Sequence, residues 1–279
     1  MRSWLYIPGN SPKMIVQSGI YGADGIVLDL EDSVSSDKKD EARILVSEAV
    51  KDLDLSGAAV RINGFDTPWW KTDLLAVVSA GICRIRIPKV ETSETVEKIA
   101  LKIDLLEERL GMTPGSVKIQ CILETPLGIE NAFSIGKSSN RIEALSFGAE
   151  DYCTQLGISR RGGAFVLDYP RSRIVNAAGA IGLQAIDTVW ADFKDPDGLE
   201  ADAFRAKQLG FSGKSVIHPD QIEIVNRIFT VSEEEIAWAI KVLEKVRGGE
   251  EGAFSLDGSM VDLPVVKRAE GILKRAGNK

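Results

Sequence analysis

The sequence predicts a (β/α)8 barrel, the TIM-barrel fold, with a C-terminal helical arm. Three observations point there: β-type runs alternate with helical segments along the whole chain, eight such runs can be counted, and the turns joining them are short. The 279 residues suit this architecture, since one barrel commonly takes about 250 residues, although two domains would also fit the length. The expected partition is 1–230 for the barrel and 231–279 for an arm or lid. The competing architecture is an open doubly wound sheet. No GxGxxG turn follows the first run, which weighs against it.

In chain order, the strands are expected at 3–7, 25–30, 59–62, 84–87, 118–123, 144–147, 185–189 and 214–217. Ser11-Pro12, Thr67-Pro68 and Thr125-Pro126 each set a capping hydroxyl before a proline suited to the first helical position. Two helical stretches, 221–229 and 233–246, follow the eighth strand. The Gly/Glu turn from Gly248 to Gly252 then reads as a hinge between barrel and arm.

Composition narrows the function. Hydrophobic residues make up 44% and charged residues 27%, ordinary values for a globular enzyme. No apolar run approaches the ~20 residues needed to cross a bilayer, so no membrane partner is expected. The opening residues lack the long apolar core of a signal peptide, and the expected compartment is cytoplasmic. A net charge of −7 argues against nucleic acid, whose phosphates demand a dense basic surface. Cys83, Cys121 and Cys153 are too scattered for a disulfide framework or a CxxC metal site; Cys83 and Cys121 lie in apolar runs and read as core residues.

Chemistry in a parallel barrel gathers at the C-terminal ends of the strands. Those ends carry Asp29, Glu31 and Asp32; Arg61 and Asn63; Lys89; Glu124; Gly148, Ala149, Glu150 and Asp151; Asp187; and His218. So many carboxylates at one mouth would repel each other without a positive partner, and a hard divalent cation with oxygen ligands answers that need. Glu124 and Asp151 are the best ligand pair, coming from adjacent strands. The alternative is that these acids, like Glu150, Asp37 and Asp66, cap the following helices. The planar fork of Arg61 suits a carboxylate, whether a substrate's or that of Glu31 or Asp32 in a structural ion pair. His218 is the single histidine, which excludes a zinc site built on several histidines. Before Pro219 it reads as a hydrogen-bonded mouth residue. Trp69 and Trp70 read as helix packing.

Several stretches carry a resemblance: 2–10 (RSWLYIPGN), 29–34 (DLEDSV), 60–63 (VRIN), 123–128 (LETPLG), 148–152 (GAEDY), 213–219 (GKSVIHP) and 258–264 (GSMVDLP). Together, and in collinear order, they resemble the citrate lyase β-subunit-like branch of the HpcH/HpaI aldolase family. The resemblance implies a barrel assembled as a homotrimer or hexamer, with Mg2+ on Glu124 and Asp151. It implies that Arg61 holds the carboxylate of a 2-oxo acid and that Glu31 and Asp32 support the metal's waters. It implies that Asp262 reaches a neighbouring subunit's mouth as acid/base, and that Gly148 and Ala149 line the substrate. The reaction implied is retro-Claisen cleavage, or the reverse condensation, of a 3-hydroxy-carboxyacyl thioester. The products would be acetyl-CoA and oxaloacetate, glyoxylate or pyruvate.

One departure bears on the partner. Relatives working in a complex with an acyl-carrier protein often read INP where this chain has Ile217-His218-Pro219, a form more typical of free-standing relatives using CoA thioesters. An acyl-carrier partner, or a weakly catalytic assembly subunit, stays open as an alternative. An aldolase acting on free aldehydes ranks lower, because that branch places a histidine base early in the barrel.

Overall fold

The computed structural model describes residues 1–55, 57–160, 164–249 and 252–277. Eight parallel strands close into a barrel in sequence order, β8 pairing back onto β1. They are β1 (Ser3–Pro8), β2 (Gly25–Asp29), β3 (Ala59–Arg61), β4 (Arg84–Ile87), β5 (Lys118–Leu123), β6 (Ile142–Phe147), β7 (Gln184–Asp187) and β8 (Gly213–Val216). The closed barrel excludes the open sheet. Around it run α1 (Pro12–Gln17), α2 (Lys39–Asp52), α3 (Trp70–Ser79), α4 (Ser93–Leu110), α5 (Pro126–Glu130) and α6 (Ala132–Lys137). The ring continues with α7 (Ala149–Leu156), α8 (Asp168–Ile181), α9 (Pro196–Leu209) and α10 (Asp220–Phe229).

Alternation along each strand divides the apolar residues into two sets. Inside the barrel Trp4, Val27, Ala59, Ala144 and Ile186 pack with Tyr6. Outside, strand residues such as Leu5, Leu28, Val60, Ile85 and Leu145 meet the helices in the larger core. Gly25 is needed for the inner layer: a Cβ there would lie 2.4 Å from the Trp4 ring. Arg86, fully buried, donates to Gln120 Oε1 at 2.9 and 2.6 Å and to the Tyr6 hydroxyl at 3.1 Å.

The helix starts follow local chemistry. Thr125 caps α5, its hydroxyl accepting from the Gly128 N–H at 3.0 Å. Thr67-Pro68 does not start a helix; the Thr67 hydroxyl donates to the Gly64 carbonyl in a turn, and α3 begins two residues later at Trp70. Trp70 packs into the core and against Phe65, while Lys39 lies over the half-buried Trp69 ring. Cys121 and Cys153 are buried but Cys83 only half-buried, because Cys83 precedes β4 rather than lying in it.

The chain divides into two compact units, Met1–Phe229 and Thr230–Lys279. The second holds α11 (Glu233–Arg247), a hairpin of β9 (Phe254–Leu256) and β10 (Ser259–Val261), and α12 (Leu263–Gly277). Ser232 and Glu235 form a capping box at the start of α11. Asp257 and Gly258 both take positive φ, as a tight hairpin turn requires. Ala239, Val242, Val261, Ala269 and Ile272 give this unit its own core. The change of unit falls before α11, so the Gly248–Gly252 turn is not the boundary between the units; its residues 250 and 251 lie outside the described ones. No helix of the described residues is long and apolar enough to cross a membrane.

Candidate active site

The C-terminal ends of the barrel strands surround a cavity of about 470 Å3, lined among others by Tyr6, Asp29, Asp32, Arg61, Glu124 and Asp151. Gly148, Ala149, Glu150 and Thr188 complete the wall on the β6–β7 side.

Parallel pairing sets Asp29 beside Arg61 at the ends of β2 and β3. Arg61 Nε and Nη2 donate to the two Asp29 oxygens at 2.6 and 2.7 Å, a bidentate pair. Arg61 Nη1 lies 2.9 Å from Glu31 Oε2 and 3.4 Å from Asp32 Oδ2. The guanidinium stacks over Tyr6, 5.0 Å from the ring centre. Burial alone would push the Asp29 carboxyl up, but Arg61 outweighs it and holds Asp29 below the usual range. The ion pair weighed as an alternative for Arg61 is thus present, and Asp29 is its main partner.

Glu124 ends β5 and is buried. One oxygen accepts the Lys89 backbone N–H at 2.6 Å. The other faces Gly148, where an added Cβ would lie 2.4 Å from Oε2. Burial pushes its carboxyl up to about 8, reinforced by the negative charge of Glu31. Burial raises Glu31 as well, against the pull of Arg61 and Lys89. Asp151, in the first turn of α7, is part-exposed at the same mouth. The Gly148 and Ala149 N–H groups already have acceptors, the Leu123 carbonyl at 3.1 Å and the Thr188 hydroxyl at 3.0 Å. Glu150 turns to Arg160.

Lys89 is the residue whose part sequence reasoning missed. Following Pro88, it takes φ of +51°, uncommon for a side-chain-bearing residue. Its ammonium lies 2.7 Å from Glu31 Oε1, 3.7 Å from Asp32 Oδ1 and 3.9 Å from Asp151 Oδ2. Lys39 Nζ, buried below, donates to the Leu30 and Glu31 carbonyls at 2.8 and 2.7 Å and pins the loop carrying both acids. Among the described residues no three His, Cys, Asp or Glu side chains already converge as a metal cluster.

Two predicted residues make other contacts, and a third belongs to the second unit. Asp187 belongs to a buried network with Arg171 and Lys214. His218 stacks on Phe193 with ring centres 5.0 Å apart, its Nδ1 accepting from the Asp220 N–H. Asp262 lies in the second unit, where its carboxylate accepts the Val265 N–H at the start of α12, at 3.3 Å.

A closed parallel barrel whose mouth sets a buried carboxylate and an arginine fork around one cavity defines the class: a (β/α)8-barrel enzyme. The chain belongs to the HpcH/HpaI aldolase/citrate lyase family, whose model matches residues 2–219. It is 41% identical to the citrate lyase subunit beta of Leuconostoc mesenteroides subsp. cremoris, over 99% of this chain and 93% of that protein. It is 34% identical to the mitochondrial citramalyl-CoA lyase of Rattus norvegicus, over 99% of this chain and 86% of that protein. Among solved structures, the protein CitE of Mycobacterium tuberculosis in complex with magnesium, acetoacetate and coenzyme A is 33% identical. It superposes with a TM-score of 0.82 over 99% of this chain and 98% of that one. The protein is a carbon–carbon lyase.

Proposed function

We propose that this enzyme uses Mg2+ to cleave, or form, a 3-hydroxy-carboxyacyl thioester of the citryl-, citramalyl- or malyl-CoA type, yielding acetyl-CoA and a 2-oxo acid. The observation that carries the reading is the placement of Glu124 and Asp151 on adjacent βα units, around one cavity with Arg61. The donors fit magnesium: all are oxygens, and Glu124 is a buried carboxyl that a nearby cation would return to its charged form. The magnesium, acetoacetate and coenzyme A of the mycobacterial relative, and the citramalyl-CoA substrate in the rat enzyme's name, support the same chemistry.

Glu124 and Asp151 would hold the ion, with Glu31 and Asp32 ordering water near it. When bound, the ion supplies Lewis-acid polarisation of substrate oxygens. Arg61, locked in place by Asp29, presents its remaining face to the substrate carboxylate. Gly148 and Ala149 line the substrate. Cleavage breaks the bond between the carbon α to the thioester and the hydroxyl-bearing carbon. The hydroxyl proton passes to solvent water, its carbon becomes the oxo-acid carbonyl, and the electron pair passes into the thioester enolate. Asp262, supplied by another subunit of a homotrimer or hexamer, returns one proton to the enolate carbon.

The 41% identity to a citrate lyase subunit favours a second reading, in which the acyl group is carried on an acyl-carrier protein within a complex. Offering citryl-, citramalyl- and malyl-CoA beside citryl-acyl-carrier protein, with Mg2+ and 2-oxo acid release as readout, separates the two. Cleavage of a CoA ester by the purified chain, lost on Glu124→Gln, is the expected outcome. Full cleavage after metal chelation would sink the metal-dependent reading.

A further inference from the structure

Two side-chain cations face the acids of the mouth, and they are held differently. Arg61 is fixed: its Nε and Nη2 donate to Asp29, Nη1 lies against Glu31, and its side chain is 12% exposed. Lys89 is not. Its side chain is 42% exposed and has one close bond, to Glu31. It lines an adjoining cavity of about 500 Å3, which shares Asp151 with the main one and has Thr92, Thr125 and Thr154 among its walls. The ammonium therefore has open space beside the place it occupies.

That place matters. Glu31, Asp32 and Asp151 surround the Lys89 ammonium, while the backbone N–H of the same residue holds Glu124. One residue thus touches both carboxylates read as metal ligands, one through its backbone and one through its charge. Its backbone is in the left-handed region, with φ of +51°.

We infer that Lys89 is a tethered counter-cation: its ammonium neutralises the acidic mouth when no metal is bound, competes with the divalent ion, and gives way toward the flanking cavity when the ion enters. This rests on the reading of Glu124 and Asp151 as the metal pair. Lys89 is a positioning residue here, acting on the metal through Asp151 and Glu31. A lysine that merely braced the acid loop would have the opposite effect on metal affinity when removed.

Mn2+ serves as the probe, since it shares the oxygen preference of magnesium and can be followed by electron paramagnetic resonance as well as calorimetry. Lys89→Gln removes the charge and leaves the backbone N–H to Glu124 in place. Its Mn2+ affinity should rise by roughly tenfold, as expected when a like charge leaves the neighbourhood of a half-exposed ion. Its thermal midpoint should fall in chelator-treated buffer and recover with Mn2+. Lys89→Arg keeps the charge and should bind Mn2+ as the wild type does. Lys89→Asn, which tolerates the left-handed backbone, should repeat the glutamine result and stands in for it if that variant fails to fold.

Equal or weaker Mn2+ binding in both neutral variants overturns the inference, as does tighter binding in Lys89→Arg. The underlying reading has its own control: Glu124→Gln should lose Mn2+ binding. If it binds as well as the wild type, the metal assignment fails, whatever the lysine variants show.

Discussion

Gly148→Ala tests the site without changing a single charge. Gly148 has φ of −113° and ψ of 91°, which alanine adopts without strain, so any effect is steric. The new methyl would lie 2.4 Å from Glu124 Oε2, 2.5 Å from its Cβ and 3.2 Å from its Cδ. Carbon contacts settle at about 3.5–4.0 Å, so Glu124 must retreat by on the order of 1 Å. Its Cβ cannot swing clear as a chain end would, because it is bonded to the backbone at the end of β5. Either the carboxylate rotates off its present line or the ends of β5 and β6 part. Overpacking of this kind costs about 1–3 kcal/mol of stability. Misplacing a reacting group by about 1 Å costs about 10²-fold in rate. The measurements are kcat on the best-cleaved CoA thioester, Mn2+ affinity and thermal unfolding. A kcat near 1% of wild type, weaker Mn2+ binding and a midpoint lower by a few degrees are expected. A variant within twofold of wild-type kcat, with unchanged metal affinity, would refute the claim that Glu124 works from its observed position.

Arg61→Lys keeps the charge but cannot bridge Asp29 as a fork, so oxo-acid affinity in a calorimeter should fall by about 2 kcal/mol; unchanged binding would free Arg61 from the substrate role. Glu107 bears on stability alone. Burial pushes its carboxyl up, but Arg141 and the N–H groups of Val117 and Gly115 outweigh this and bring it down to about 2 from 4.5. The stability it contributes is therefore full above pH 4.5 and lost as pH falls toward 2, by on the order of 3 kcal/mol. Glu107→Gln should flatten that slope in urea titrations and leave kcat alone; an equally steep slope would count against the assignment. For Asp262, co-refolded Glu124→Gln and Asp262→Ala chains should regain about one quarter of wild-type activity, because a working site then joins two particular chains. Mixed oligomers, shown by differential tags, with no more activity than either parent would place Asp262 outside a neighbour's chemistry.

Eight apolar runs made the barrel legible, because each strand must bury both faces, and the polar residue that ends each run marks the mouth. Asp29, Arg61, Glu124 and Asp151 could be named from that pattern. Their partners could not. Asp29 holds Arg61 because the parallel register sets the two side by side, and register is invisible in an isolated run. Lys89 was seen only as a strand-end cation, since its place depends on a positive φ that a lysine does not advertise. Thr67-Pro68 imitates a helix start, but its hydroxyl finds the Gly64 carbonyl first and closes a turn.

Asp187 shows why a strand-end acid alone is a weak signal, and what the stronger signal is. It lies in a network with Asp202, Arg171 and Lys214, each aspartate 2.6–2.9 Å from both cations on the β7–β8 side. Two anions there meet the fully buried Arg171 and Lys214, with Arg160 at 3.7 Å from Asp202, so no negative charge is left over. The other side of the mouth is different. Asp29, Glu31, Asp32, Glu124 and Asp151 have Arg61 and Lys89 among them and the buried Lys39 ammonium beneath. If all five ionise they outnumber the three cations by two, and Glu31 and Glu124 are both pushed above their ordinary range. A buried carboxyl without a partner holds its proton until a cation arrives to replace it. A divalent ion would offset both, and bring the β2–β6 side to the balance that the β7–β8 side has without help. The imbalance, more than the acids themselves, separates the functional half of this mouth from the structural half.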